Sequence, residues 1–319
     1  MNADLIDNGG ILLVNKPSGI TSHDVVGKIR KLYGTRKVGH TGTLDPMATG
    51  LMAVLIGRAV KASDLVVSDD KRYTAGMRLG ITTDTADITG NILSRNDFVP
   101  DRCDVINTVN SFVGRYMQVP PMYSAIKIGG KKLYELAREG KTVEIEPREL
   151  YIYKIGVEGD TRDYTLDVHC SKGTYIRTLC EDIGKKLGCG AVMSSLCRVS
   201  TGSFSLHDAK TLDEIEQMTI KQRKELLIPV ENLFLTLPSV ALGSFYTKLC
   251  LNGCEIYQKK IGTSFDVDEK VRVYSDGVFL GLGEVKNYPD GTAVKLAARF
   301  VFCFALPTLN HIKQTVQRA

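Results

Sequence analysis

The run Gly39-His-Thr-Gly-Thr-Leu-Asp-Pro46 sets one carboxylate, Asp45, in a glycine-rich segment. Gly39, Gly42 and Gly50 let the backbone take unusual angles and let a ligand come close, while Pro46 stiffens the residue beside the carboxylate. Such a loop can hold a carboxylate in a single pose. By itself, however, an Asp-Pro step in a loop is more often a turn former whose carboxylate caps a backbone amide, so Asp45 alone assigns no chemistry. The preceding stretch Gly34-Thr-Arg-Lys-Val-Gly39-His40-Thr41 nearly fits a phosphate-binding loop. His40 stands where that motif needs lysine, and Asp45-Pro46 falls where it needs a helix, which excludes nucleotide hydrolysis. Eight cysteines are scattered without a Cys-x-x-Cys pair. They read as small buried hydrophobes of a reducing compartment rather than as zinc ligands or disulfides.

These residues need elements to position them. Ile11 to Val14 is an apolar run stopped by Lys16-Pro17-Ser18-Gly19, a strand delivered into a turn. Thr21 and Asp24 have capping-box spacing, Val25, Val26, Ile29, Leu32 and Tyr33 recur at helical spacing, and Gly34 ends the helix. Thr35 to Gly50 has no sustained period and reads as a long loop. Lys71 to Leu79 alternates, with Tyr73, Ala75, Met77 and Leu79 on one face, so Tyr73 lies near the start of a strand. Tyr164, Leu166 and Val168 alternate in the same way. Ile176, Leu179, Cys180, Ile183 and Leu187 follow helical spacing up to Gly188, which puts Arg177 in a first helical turn. An arginine there is usually a surface residue or half of a structural ion pair. Past Leu237-Pro238 the pattern turns strand-rich, with Val271 to Tyr274, an Asp276-Gly277 turn and Val278 to Gly283. We therefore read residues 1–236 as one domain and residues 237–319 as a smaller second one.

Five ordered segments between about residues 10 and 205 resemble the tRNA pseudouridine synthase B (TruB) family. They are Gly10 to Asp24, Val38 to Gly50, Asp70-Lys-Arg-Tyr73 with Gly80-Ile-Thr-Thr-Asp-Thr-Ala-Asp87, Pro120-Pro-Met-Tyr-Ser-Ala-Ile-Lys127 running to Arg138, and Cys170-Ser-Lys-Gly-Thr-Tyr-Ile-Arg177. The match Gly-His-Thr-Gly-Thr-Leu-Asp-Pro is highly specific. The resemblance implies an α+β pseudouridine synthase fold: a mixed, largely antiparallel sheet flanked by helices and split by a central cleft, followed by a small PUA-like β domain at the C-terminus. It also implies isomerisation of uridine to pseudouridine at position 55 in the T loop of tRNA, without cofactor or metal.

By that resemblance Asp45 is the nucleophile, Arg177 the cation that pairs with it, and Tyr73 the ring that stacks on the base and the candidate acceptor of its C5 proton. An ordinary phenol pKa of about 10 makes Tyr73 a poor base unless the site shifts it. His40 is the candidate to fill the stack left by a flipped-out base, and Leu196 to back the uracil pocket. Lys16 and Tyr175 are further expected contacts. The basic stretch from about 120 to 148, with Lys127, Lys131 and Lys132, corresponds to the family's RNA-binding insertion.

With 41 Lys plus Arg against 36 Asp plus Glu, the net charge of +5 is too small to grip RNA unless it is clustered, as it is in that insertion. The N-terminal residues carry acids where a secretory signal would carry bases, and no apolar run spans a bilayer, so a cytoplasmic location is expected. The expected partner is tRNA, bound by a monomer that needs no protein partner. Two alternatives are a guide-RNA-dependent synthase within a ribonucleoprotein and a non-catalytic tRNA-binding or chaperone protein. Neither is favoured, because Asp45, Tyr73 and Arg177 are all present and extra terminal segments of the guided relatives are not.

Overall fold

The computed structural model describes residues 9–63, 65, 70–124, 126–141 and 143–300, with the backbone alone at 127, 128, 132, 134, 137 and 138. A large sheet runs in the order Lys210–Thr211, Gly10–Lys16, Thr49–Ile56, Ala191–Thr201, Lys71–Leu79, Asp163–Cys170, Arg148–Asp160, Gly114–Gln118. Most neighbours are antiparallel. The exceptions are Lys210–Thr211 beside Gly10–Lys16, and Ala191–Thr201 beside Thr49–Ile56.

That second parallel contact is the seam of the molecule, for it consists only of Cys197 opposite Thr49 and Arg198 opposite Gly50. The two halves on either side of it solve burial differently. Gly10–Lys16 and Thr49–Ile56 are buried on both faces, as unbroken apolar runs require. One face meets the Ser22–Tyr33 helix through Leu12, Val14, Val25, Val26, Ile29, Met52 and Val54, and the other packs Leu13, Leu51 and Leu55 against Phe234, Phe279 and Phe300. The other half alternates. Tyr73, Ala75, Met77 and Leu79 face a core shared with Leu166, Val168, Leu179 and Ile183, while Arg72, Thr74 and Arg78 face water.

The sequence signals at the helix ends do their local work. Thr21 and Asp24 form a reciprocal capping box and Gly34 closes the helix in the left-handed region at φ 62°. The Ile176–Leu187 helix ends likewise at Gly188, φ 74°. The expectation of an unbroken loop from Thr35 to Gly50 needs correction. Val38–His40 is a short strand paired with Ile56, Leu55 and Val54, so His40 sits on a sheet edge. Three residues are too few to print a period. A second, five-stranded sheet spans Ser239–Ala241, Lys270–Ser275, Val278–Tyr288, Gly291–Arg299 and Ile256–Tyr257, with its own core of Val240, Val271, Val273, Leu280, Val285 and Val294. The tail beyond residue 300 lies outside the described residues.

Gly184 marks where the Ile176–Leu187 helix touches the sheet, since a Cβ there would fall 2.1 Å from the Ala191 nitrogen. Gly184→Ala should therefore cost about 1–3 kcal/mol by overpacking, read as a lower chemical-denaturation midpoint at unchanged slope.

Candidate active site

Asp45 lies in the loop that enters Thr49–Ile56, and that loop is held from beneath. The hydroxyl of Ser22 donates to the Leu44 carbonyl at 3.0 Å and accepts from the Leu44 N–H at 2.8 Å. Lys16 donates to the carbonyls of Pro17, Pro46 and Ala48 at 2.8, 3.2 and 2.7 Å. Lys16, an expected substrate contact, is fully buried, and all three of its N–H donors are engaged by backbone carbonyls. Burial pulls its pKa down to about 8, against the pull of Asp45 in the other direction. Lys16 is part of the loop's foundation, and the Lys-Pro-Ser-Gly turn that follows it carries no signal that would separate that role from an exposed one.

Arg177 reaches Asp45 from across the seam. Its Nε lies 3.0 Å from Oδ2 and its Nη2 3.4 Å from Oδ1, so the fork meets both carboxylate oxygens. Arg177 is almost fully buried, whereas Asp45 is partly exposed. The helix that carries Arg177 has no side-chain cap at its N-terminal residue Tyr175. Gln118, itself buried, supplies the missing constraint: its amide donates to the Tyr175 carbonyl at 3.0 Å and accepts from the Tyr175 N–H at 2.9 Å.

The rest of the guanidinium is also occupied. Nη2 donates to the Tyr123 carbonyl at 2.9 Å and Nη1 to the Thr85 carbonyl at 3.1 Å. Nη1 further lies 3.7 Å from Oδ2 of Asp87, a buried carboxylate fixed through Oδ1 by Thr85, by the Thr89 N–H and by the Thr89 hydroxyl. Sequence reasoning did not single out Asp87 as a site residue. Its segment Thr-Thr-Asp-Thr-Ala-Asp87 was noticed, but nothing in the chain order says that this acid turns inward onto the same arginine as Asp45.

Burial pushes the Asp45 carboxyl up; the Arg177 charge pulls it back, Asp87 pushes it further up and Lys16 pulls it down. Tyr73 is buried beside this pair, and burial raises its phenol pKa, with the Arg198 guanidinium opposing. Leu196 is buried in the same core cluster as Tyr73, Leu44 and Ala48. His40 is partly exposed; burial first, then the cation Arg198, lowers its pKa, which leaves a neutral imidazole near pH 7. Its Nδ1 is buried without a hydrogen-bond partner among the described residues. Tyr175 is partly exposed at the helix start. In the basic insertion Lys131 and Lys141 are exposed, yet both pair with Glu139, at 3.1 and 2.8 Å, so part of the expected positive charge is neutralised locally. Lys127 and Lys132 fall on the short paired strands Lys127–Ile128 and Lys131–Lys132, and their side chains lie outside the described residues.

A mixed sheet with a seam, a carboxylate loop on one wall and an arginine on the other defines a protein of the pseudouridine synthase fold. Solved structures with the same architecture include a Cbf5-Nop10-Gar1 complex (25% identity, TM-score 0.71, 93% of this chain and 86% of that one). Another is an H/ACA RNP bound to a substrate RNA containing 2'-deoxyuridine (23% identity, TM-score 0.73, 96% and 89%), a likeness of fold alone. The N-terminal domain model of the TruB family pseudouridylate synthases matches residues 30–176, and the tRNA pseudouridylate synthase B C-terminal domain model matches residues 177–235. Proteins named tRNA pseudouridine synthase B include one from Alkaliphilus oremlandii, 44% identical over 87% of this chain and 93% of its own length, and one from Burkholderia mallei, 43% identical over the same shares. The chain belongs to the TruB family of pseudouridylate synthases. No helix among the described residues is long and apolar enough to cross a membrane.

The opposing effects on Asp45 give a signed expectation. Arg177→Met removes the largest influence that lowers the Asp45 pKa, so its carboxyl titration, followed by carbon-13 NMR, should move to higher pH than in the wild type.

Proposed function

We propose that this protein isomerises uridine to pseudouridine in tRNA, acting at position 55 of the T loop with Asp45 as nucleophile. The observation that carries this reading is the partly exposed Asp45 carboxylate gripped by buried Arg177, in a chain more than 40% identical to several enzymes named tRNA pseudouridine synthase B. In the reaction the N1–C1′ bond breaks, the uracil turns, and a C5–C1′ bond forms. The C5 proton is lost and N1 gains one, so product and substrate have the same atoms. Positive charge builds on C1′ as the first bond breaks, and a fixed carboxylate can stabilise or trap it, as in retaining glycosidases. Arg177 keeps Asp45 ionised and aimed, since the guanidinium counters the burial that would otherwise favour the neutral acid.

Tyr73 and Leu196, packed in one cluster, offer an apolar and aromatic wall for the flipped base, and Tyr73 is the candidate acceptor of the C5 proton, a role its raised pKa works against. Neutral His40 suits the vacated place in the base stack, because no charge has to be desolvated there. Lys127, Lys131, Lys132 and Tyr175 then serve the RNA backbone and the bases beside the target. The link from Arg177 to the Tyr123 carbonyl supports a role for the insertion, since it ties the insertion's foot to the catalytic pair. The small β domain at the C-terminus adds a second RNA contact of the PUA kind, with the boundary near residue 237. The protein works in the cytoplasm as a monomer, without guide RNA, metal, cofactor or protein partner.

The test is release of tritium from C5-labelled uracil in an unmodified tRNA transcript, with purified protein and nothing else added. The wild type should release it. Asp45→Asn should bind the same tRNA and release none, and an active Asp45→Asn would remove Asp45 from the chemistry. Tyr73→Phe should keep tRNA affinity while release slows by about 10²-fold or more, the lower end for a lost general base. A wild type that binds tRNA but needs guide RNA, or never releases tritium, would favour the ribonucleoprotein or chaperone alternative.

A further inference from the structure

Among the described residues Arg198 has the largest fully buried side chain, and no carboxylate lies within ion-pair distance of it. Its donors go instead to three backbone carbonyls on either side of Asp45: Nε to Leu51 at 2.7 Å, Nη2 to Gly42 at 3.0 Å and Nη1 to Thr43 at 3.4 Å. Arg177 grips the carboxylate of Asp45 from above; Arg198 grips the two ends of its loop from below. A buried cation without a counterion is costly, several kcal/mol in ordinary cases, and it persists only where the groups around it are fixed to receive it.

The backbone of Arg198 occupies an equally special place. It is one of the two residues that join the halves of the sheet, opposite Gly50 at the exit of the Asp45 loop, and on its other side it pairs with Tyr73. The join is tight. A Cβ on Gly50, whose φ is 100°, would fall 2.4 Å from the Arg198 carbonyl oxygen, and one on Gly42 would fall 3.3 Å from Nη1. Thus one residue touches the entry and exit of the nucleophile's loop through its side chain and the strand of the stacking tyrosine through its backbone.

Resting on the synthase reading above, we propose that Arg198 is the positioning residue that fixes the Asp45 carboxylate relative to Tyr73 across the seam. Uniform binding of RNA does not need this. The transition state does, because the carboxylate has to meet C1′ while the ring meets the base of the same nucleotide, and a displacement of about 1 Å can cost about 10²-fold in rate. The Arg198 charge also opposes, without overcoming, the burial that raises the Tyr73 phenol pKa. Lysine cannot replace this geometry, for an ammonium on a flexible stem cannot span three carbonyls that a planar fork reaches at fixed angles.

Arg198→Lys keeps the charge and is the primary variant. It should bind unmodified tRNA within about threefold of the wild type and, at matched folded fraction by circular dichroism, release C5 tritium about 10²-fold more slowly in a single turnover. Arg198→Ala should be slower still and should regain rate when guanidinium is added at concentrations far below denaturing ones. Asp45→Asn should not. Gly42→Ala, which presses on Nη1, should lower the single-turnover rate by a larger factor than it weakens tRNA binding. The proposal is overturned if Arg198→Lys turns over at the wild-type rate, or if its deficit is accounted for by unfolded protein or by weaker tRNA binding. A wild type that releases no tritium overturns the synthase reading itself, and that result is distinguishable because it does not depend on Arg198.

Discussion

One guanidinium holds two carboxylates at the centre of this protein. Arg177 is buried where charge is expensive, and the fold meets that cost by giving it Asp45 on one side, Asp87 on another and the carbonyls of Thr85 and Tyr123 in between. These partners come from three separate stretches of chain, so the arginine also acts as a fastener. It ties the Asp45 loop, the turn at Thr85–Asp87 and the foot of the basic insertion to the start of a single helix. Removing one partner of such a buried set leaves the others uncompensated, which is why the set behaves as a unit.

The sheet explains how those stretches reach one another. Its two halves share only two residue pairs, and the half that includes Gly10–Lys16 and Thr49–Ile56 is locked between a helix and the aromatic residues Phe234, Phe279 and Phe300. The other half has one open face and presents Tyr73 from the opposite, buried face. A carboxylate loop from the first half and an arginine from the second therefore meet at the seam. Lys16 and Arg198 fill the space under that meeting, and both do so by donating to backbone carbonyls of the Asp45 loop and its flanks. Arg177 and Lys16 both pull the Asp45 carboxyl toward its ionised form, against burial and Asp87.

The basic insertion contributes less free charge than its composition promises, because Glu139 takes up both Lys131 and Lys141. Exposed pairs of this kind add little to stability, and they open readily to a phosphate that competes for the lysines. The insertion's connection to the Asp45–Arg177 pair is the Tyr123 carbonyl on Arg177 rather than its charge.

Much of this was legible in the order of residues. The capping box at Thr21 and Asp24, the glycine stops at 34 and 188, the alternation from Tyr73 to Leu79 and the helical spacing after Ile176 are local rules, and local rules act the same in any fold. Family-specific runs likewise pointed to Asp45, Tyr73 and Arg177. What the chain order could not say was which polar side chains turn inward. Lys16 follows an apolar strand and precedes a turn, a setting that serves an exposed lysine as well as a buried one; Asp87, Gln118 and Arg198 sit in segments whose periodicity marks only a strand or a bend. Their roles depend on carbonyls and amides that approach from 32, 57 and more than 140 residues away. Sequence by itself determined the local elements and named the candidate reacting groups, because propensity and motif chemistry are short-range. The tertiary structure alone decided the buried cations and the second carboxylate, because desolvation and hydrogen-bond satisfaction exist only once distant backbone has closed around the charge.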